Sequence, residues 1–170
     1  MHRLFDFPNP VNEVAARTVA AGVVALSVLY LVTGHPLVLV VLAYGFVARV
    51  ASGPRFSPLG LLATRVVAPR LARHEKLVPG PPKRFAQGIG TVFSVGALIA
   101  HLAGATPVAT LLVAGLVVAA SLEAVLALCL GCQVFAVLMR FGVIPERVCA
   151  ECADISLHLE RRARETEAAA

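Results

Sequence analysis

The four cysteines of this chain fall in two pairs, Cys129-Leu130-Gly131-Cys132 and Cys149-Ala150-Glu151-Cys152, separated by the 16 residues from Gln133 to Val148. Two chemistries use thiols at this spacing. In the first, the pairs are redox dithiols. Residues three apart share a helix face, so Cys129 and Cys132 could close a disulfide or share a sulfur transfer. CxxC geometry also lowers the pKa of one thiol and supplies a thiolate nucleophile. Cys149 and Cys152 then act as relay or resolving thiols. In the second, the four thiolates hold one metal. The spacing lies within the C-x2-C…C-x2-C zinc pattern, and four sulfurs form the tetrahedral set that zinc or a single iron accepts. Gly142 and Pro145 would let the chain double back. Against the metal, neither pair is followed by zinc-knuckle turn residues, and the first pair sits in a helical context. Buried cysteines acting as small apolar side chains are a poor account of two pairs in a chain with no others. The redox reading therefore leads, with Cys129, Cys132, Cys149 and Cys152 as the reactive groups. A non-enzymatic scaffold holding zinc or iron is the alternative.

What must position these thiols is a membrane protein. Of the 170 residues 58% are hydrophobic and 15% charged, with a mean hydropathy of +0.83. A soluble domain is about half apolar and about a quarter charged, and a chain this short has one core in which to hide the excess. Four apolar stretches stand out, at about Val14–Val32, Pro36–Val50, Phe85–Leu102 and Pro107–Met139. A bilayer core needs roughly 20 helical residues. The first three fit as single spans, and the fourth is long enough that it must tilt, kink or project. Asp6, Pro8 and Pro10 precede the first stretch with no basic cluster before it, which is the wrong order for a signal peptide.

Turns alternate in charge. Thr33–Pro36 and Gly104–Pro107 carry no Lys or Arg, whereas Gly53–Arg84 carries Arg55, Arg65, Arg70, Arg73, Lys76, Lys83 and Arg84 against one acid, Glu75. Basic loops stay in the cytoplasm. The expected architecture is an all-α integral membrane bundle of four transmembrane helices in the inner (plasma) membrane, with both termini cytoplasmic. Residues 1–140 form the membrane domain and 141–170 a cytosolic C-terminal helical tail. Within the basic loop, Ser57 can cap a short helix with Pro58 in its first turn. Leu59, Leu62 and Val66 would share one side of this interfacial basic helix, Pro69 would kink or end it, and Val78–Pro82 reads as a linker. The net charge of +5 sits largely in this loop, so the partner it implies is the lipid bilayer and not nucleic acid. A homo-oligomer stays open.

Counting inward at about 1.5 Å per residue, Arg17, Arg49, Gln87 and Glu123 fall in one slab. Charges at such depth normally face the bundle and pair. Glu123 is expected to pair with Arg17 or Arg49, with Gln87 nearby, either as a relay or as a structural ion pair that sets helix register. Gly90 with Ser94, Gly115 with Ala119 and Ala120 with Ala124 give small-xxx-small spacing for close helix contact.

Three segments, Gly53-Pro54-Arg55-Phe56-Ser57-Pro58-Leu59-Gly60, Pro82-Lys83-Arg84-Phe85-Ala86-Gln87-Gly88 and Cys129-Leu130-Gly131-Cys132, resemble the bacterial domain of unknown function 4395 family from about Asn9 to Arg140. The resemblance implies a small multi-span membrane protein, often encoded near thioredoxin-like or sulfurtransferase proteins, and no established reaction. It does not reach Cys149 and Cys152.

Overall fold

The computed structural model describes residues 7–70, 77–145 and 148–149. Two short strands, β1 (Val11–Asn12) and β2 (Leu77–Val78), pair antiparallel and tie the N-terminal segment to the start of the third long helix. The helices are α1 (Glu13–Thr33), α2 (Pro36–Ser52), α3 (Pro58–Leu62), α4 (Ala68–Arg70), α5 (Gly80–Leu102), α6 (Thr106–Leu126) and α7 (Leu130–Arg140). Four of the helical segments are long and apolar enough to cross a membrane. They form a closed ring in which α1 packs on α2, α2 on α5, α5 on α6 and α6 on α1. The protein is thus an all-α, multi-pass membrane bundle. Leu29, Val41, Val92, Ile99, Leu111 and Val118 point outward, exposed, as lipid-facing side chains do.

Local signals explain where the helices begin and end. Asn12 caps α1 by accepting the N–H groups of Val14 at 2.8 Å and Ala15 at 3.3 Å. Gly34, at φ 65°, closes the same helix in the left-handed region, where glycine meets no Cβ penalty. Pro36 opens α2. The core centres on Val23, Tyr30, Leu39, Leu42, Phe46, Ala97, Val113 and Leu116. Small residues do bring helices together: a Cβ on Gly90 would lie 2.1 Å from Phe46 Cε1, so α2 and α5 reach their spacing only with glycine there.

The basic loop departs from the expected layout. Ser57 Oγ accepts the Gly60 N–H at 3.3 Å and Pro58 opens α3, as anticipated. A π-helical turn, Ala63–Val67, carries the helix on into α4, which is described as far as Arg70, one residue past Pro69. Its buried side is Gly60, Ala63 and Ala68, while Leu62 is exposed. Ala63 and Ala68 pack with Ala15 and Val19 of α1, and Leu59 covers Gly22, where a Cβ would lie 2.8 Å from Leu59 Cδ2. The apolar side of this segment is therefore spent on α1. The Val78–Pro82 linker is also shorter than expected, because α5 begins at Gly80 with Pro81 and Pro82 in its first turn. Proline is preorganised there, its missing N–H being unpaired in any case.

The long fourth stretch breaks. Residue Ala127 adopts φ 56° and ends α6, its N–H donating to Glu123 O at 3.1 Å while that of Leu128 donates to Leu122 O at 3.2 Å. A left-handed alanine costs roughly 1–2 kcal/mol. Helix α7 restarts three residues later and packs against α5. Residues 150–170, with the expected C-terminal helix and Cys152, lie outside the described residues.

Candidate functional site

The break in the fourth stretch places the first cysteine pair at a helix start, not within one continuous helix. Cys129 is the N-cap of α7, in extended backbone, and its Sγ accepts the N–H of Cys132 at 3.4 Å. It does what a capping Ser or Asp does for an orphan N–H. The intervening glycine permits the geometry: a Cβ on Gly131 would lie 2.6 Å from Ala86 Cα and 2.5 Å from Ala86 Cβ. Backbone of the CxxC turn thus rests directly on α5. Phe85 and Phe135 hold α5 and α7 together by an edge-to-face contact, with centroids 5.6 Å apart.

Both thiols are free. Cys129 is buried and Cys132 half-buried. The two are chemically unequal. A hydrogen bond from the Cys132 side chain, with smaller help from Lys83 and the Cys132 N–H, holds the Cys129 thiol below the ordinary range, against burial and the Glu123 charge. The same hydrogen bond, then burial, pushes the Cys132 thiol up. A thiolate at a helix N-terminus beside a cation is the usual setting of a nucleophilic cysteine.

Of the four polar residues Arg49 is buried, Gln87 and Glu123 are half-buried and Arg17 is exposed, and their pairing differs from the expected one. Glu123 pairs with Lys83 at 2.5 Å, with the side chains only 10% and 15% exposed for Lys83 and Glu123 respectively. Neither Arg17 nor Arg49 is its partner. Arg17 Nε and Nη2 donate to the C-terminal carbonyls of α6, Ala124 O at 3.0 Å and Val125 O at 3.1 Å. Buried Arg49 donates to Gln87 Oε1 at 2.8 Å and Ser57 Oγ at 3.1 Å, and stacks 4.5 Å above the Phe46 ring. Arg84 donates to Val50 O at 3.1 Å, near the end of α2. Three arginines thus meet helix ends or a neutral amide, because orphan carbonyls in an apolar setting need donors. Lysine 83 was counted with the loop because the helix start at Gly80 was missed. Pro81 and Pro82, at first-turn positions directly before Lys83, are the sequence signal for that start.

The second cysteine pair is only partly placed. Cys149 is buried and disulfide-bonded, and Cys152 lies outside the described residues. Among the described residues no three His, Cys, Asp or Glu side chains converge as a metal site would require. At the far end of the bundle, His101 Nδ1 and the buried Tyr30 hydroxyl share a hydrogen bond of 2.9 Å, a structural contact between α1 and α5.

These features define a multi-pass helical membrane protein with an asymmetric dithiol at the start of a short helix beside a buried Lys–Glu pair. The chain belongs to the family of the domain of unknown function (DUF4395), whose model matches residues 11–140. No curated protein sequence and no solved structure matches it.

Proposed function

We propose that this protein is a membrane thiol–disulfide exchange or sulfur-handling protein whose reactive pair is Cys129 and Cys132. The observation that carries the reading is the placement of the two thiols: Cys129 caps α7 and accepts the N–H of Cys132, three residues on, at 3.4 Å. In the exchange, the Cys129 thiolate attacks a partner disulfide and expels one thiolate. Cys132 then attacks the Cys129 sulfur, closing the 129–132 disulfide and releasing the partner as a dithiol. Two electrons and two protons pass to the partner. A thioredoxin-like or sulfurtransferase protein suits this role. The Lys- and Arg-rich Gly53–Arg84 segment supports a cytoplasmic side for the site by the positive-inside rule, where such partners are soluble. The disulfide at Cys149 supports a relay role for the second pair and speaks against four thiolates on one zinc.

Mass-tag alkylation of the full chain in membranes, with and without prior reduction, tests this. Cys129 and Cys132 should gain tags together on reduction after exposure to an oxidised thioredoxin-like protein. Four thiols unmasked together by a chelator, with no effect of reduction, would replace the redox reading by the metal one.

A further inference from the structure

Next to the dithiol lies a cavity of about 310 Å³, enclosed by α1, α2, α5, α6 and the CxxC turn. Its walls are apolar, with Phe46 and Phe93 among them and small residues such as Ala119 and Ala120 making the room. Three polar side chains reach it: Gln87, Glu123 and Cys129. Leu130 and Val134 also line it and are 40% and 46% exposed, so they form its mouth on the outer surface of the bundle. An apolar pocket with a few convergent polar groups is the usual form of a small-molecule site. At the low end of the roughly 300–1,000 Å³ typical of such sites, it has room for one substituted ring, and a tail would have to leave through the mouth.

We infer that this cavity binds the ring of a lipid-soluble quinone, which takes the electrons of the Cys129–Cys132 dithiol. The inference rests on the redox reading above, with the thiol–disulfide exchange run in its reverse sense so that a partner dithiol reduces the 129–132 disulfide and becomes a disulfide itself, and it adds the terminal oxidant. A dithiol gives up two electrons together, so its acceptor must be a two-electron carrier. The walls demand that it be apolar, and the mouth opens among outward-facing apolar side chains. Arg49 takes Gln87 Oε1 at 2.8 Å, which leaves the Gln87 amide nitrogen to donate to a ring carbonyl. In the reaction Cys129 adds to the ring through a carbon–sulfur bond. Cys132 attacks the Cys129 sulfur, the sulfur–sulfur bond forms, and the carbon–sulfur bond breaks with its electron pair left on the ring. The dithiol is oxidised, the quinone becomes a hydroquinone, and the two thiol protons end on its two oxygens.

The test uses the reduced full chain in lipid nanodiscs under argon, with decylubiquinone as probe and water-soluble diamide as a control oxidant. The wild type should reduce at least one decylubiquinone per protein and lose the mass tags of Cys129 and Cys132 together. Ala120→Phe, which fills the cavity, should slow this at least tenfold, and diamide reports whether the thiol pair is still assembled in the variant. If diamide closes the wild-type disulfide and decylubiquinone does not, the cavity inference falls while the redox reading stands. If neither oxidant closes it, the redox reading itself falls. Should Ala120→Phe fail to fold, Cys132→Ser decides: decylubiquinone should slow maleimide labelling of Cys129, and decanol should not. Equal labelling with both would overturn the inference.

Discussion

Lys83 Nζ meets Glu123 Oε1 at 2.5 Å, joining the first turn of α5 to the last turn of α6 immediately before the break that leads into the CxxC turn. Both charges act on Cys129 in opposite senses. The pair is thus at once a clamp between two spans and the local field in which the thiol works.

Because the pair is mostly buried, removing one member leaves an uncompensated charge, at a cost of about 3–5 kcal/mol. Lys83→Met should lower the thermal midpoint in detergent sharply, and Lys83→Met with Glu123→Leu should recover much of the loss. A double variant no better than the single one would show the pair to be unimportant for stability.

The Cys129 thiol is held below the ordinary thiol range and Cys132 above it, so iodoacetamide should modify one cysteine long before the other. Cys129 labelling should be present above its lowered pKa and fade as pH falls through it. Glu123 raises that pKa and Lys83 lowers it. Glu123→Gln should shift the labelling curve to lower pH and Lys83→Met to higher pH. Mass mapping of labelled peptides across a pH series checks both signs, and unmoved curves would separate the ion pair from the thiol chemistry.

Gly131 and Gly88 differ in what surrounds them. A methyl group on Gly131 meets the Ala86 backbone, whereas one on Gly88 meets nothing within 4 Å. Gly131→Ala should cost about 1–3 kcal/mol, the usual range for overpacking, and reduce the yield of the 129–132 disulfide. Gly88→Ala should be neutral or stabilising, by up to about 1 kcal/mol from helix propensity. Melting curves of the two variants side by side decide it.

Arg49 is only 4% exposed and links α2 to Gln87 on α5 and to Ser57 at the start of α3. Lysine cannot reproduce the planar fork or the stacking on Phe46. Arg49→Lys should therefore loosen the Pro58–Arg70 segment, seen as faster limited proteolysis after its exposed arginines, Arg65 and Arg70. Proteolysis at the wild-type rate would show that α3 holds without Arg49.

The four apolar helices were legible in the sequence because hydropathy and length are local properties, and so were the Ser57-Pro58 helix start and the need for the fourth stretch to tilt, kink or project. Of the four polar residues counted to one depth, Arg49 and Gln87 do meet, while Arg17 is exposed. Their partners were not legible. Glu123 chose Lys83 because α5 starts at Gly80 and carries that amine into the bundle, while Arg17 and Arg49 were drawn to helix-end carbonyls, an amide and a hydroxyl that only packing brings within reach. The cysteine spacing set the two pairs apart from the outset and left redox and metal chemistry both open. That Cys129 is a helix cap and not a helical residue depended on the left-handed turn at Ala127 and on Gly131 seating against Ala86. Such contacts between residues 45 positions apart have no trace in a local pattern, and they decide which thiol is held low and what cavity it faces.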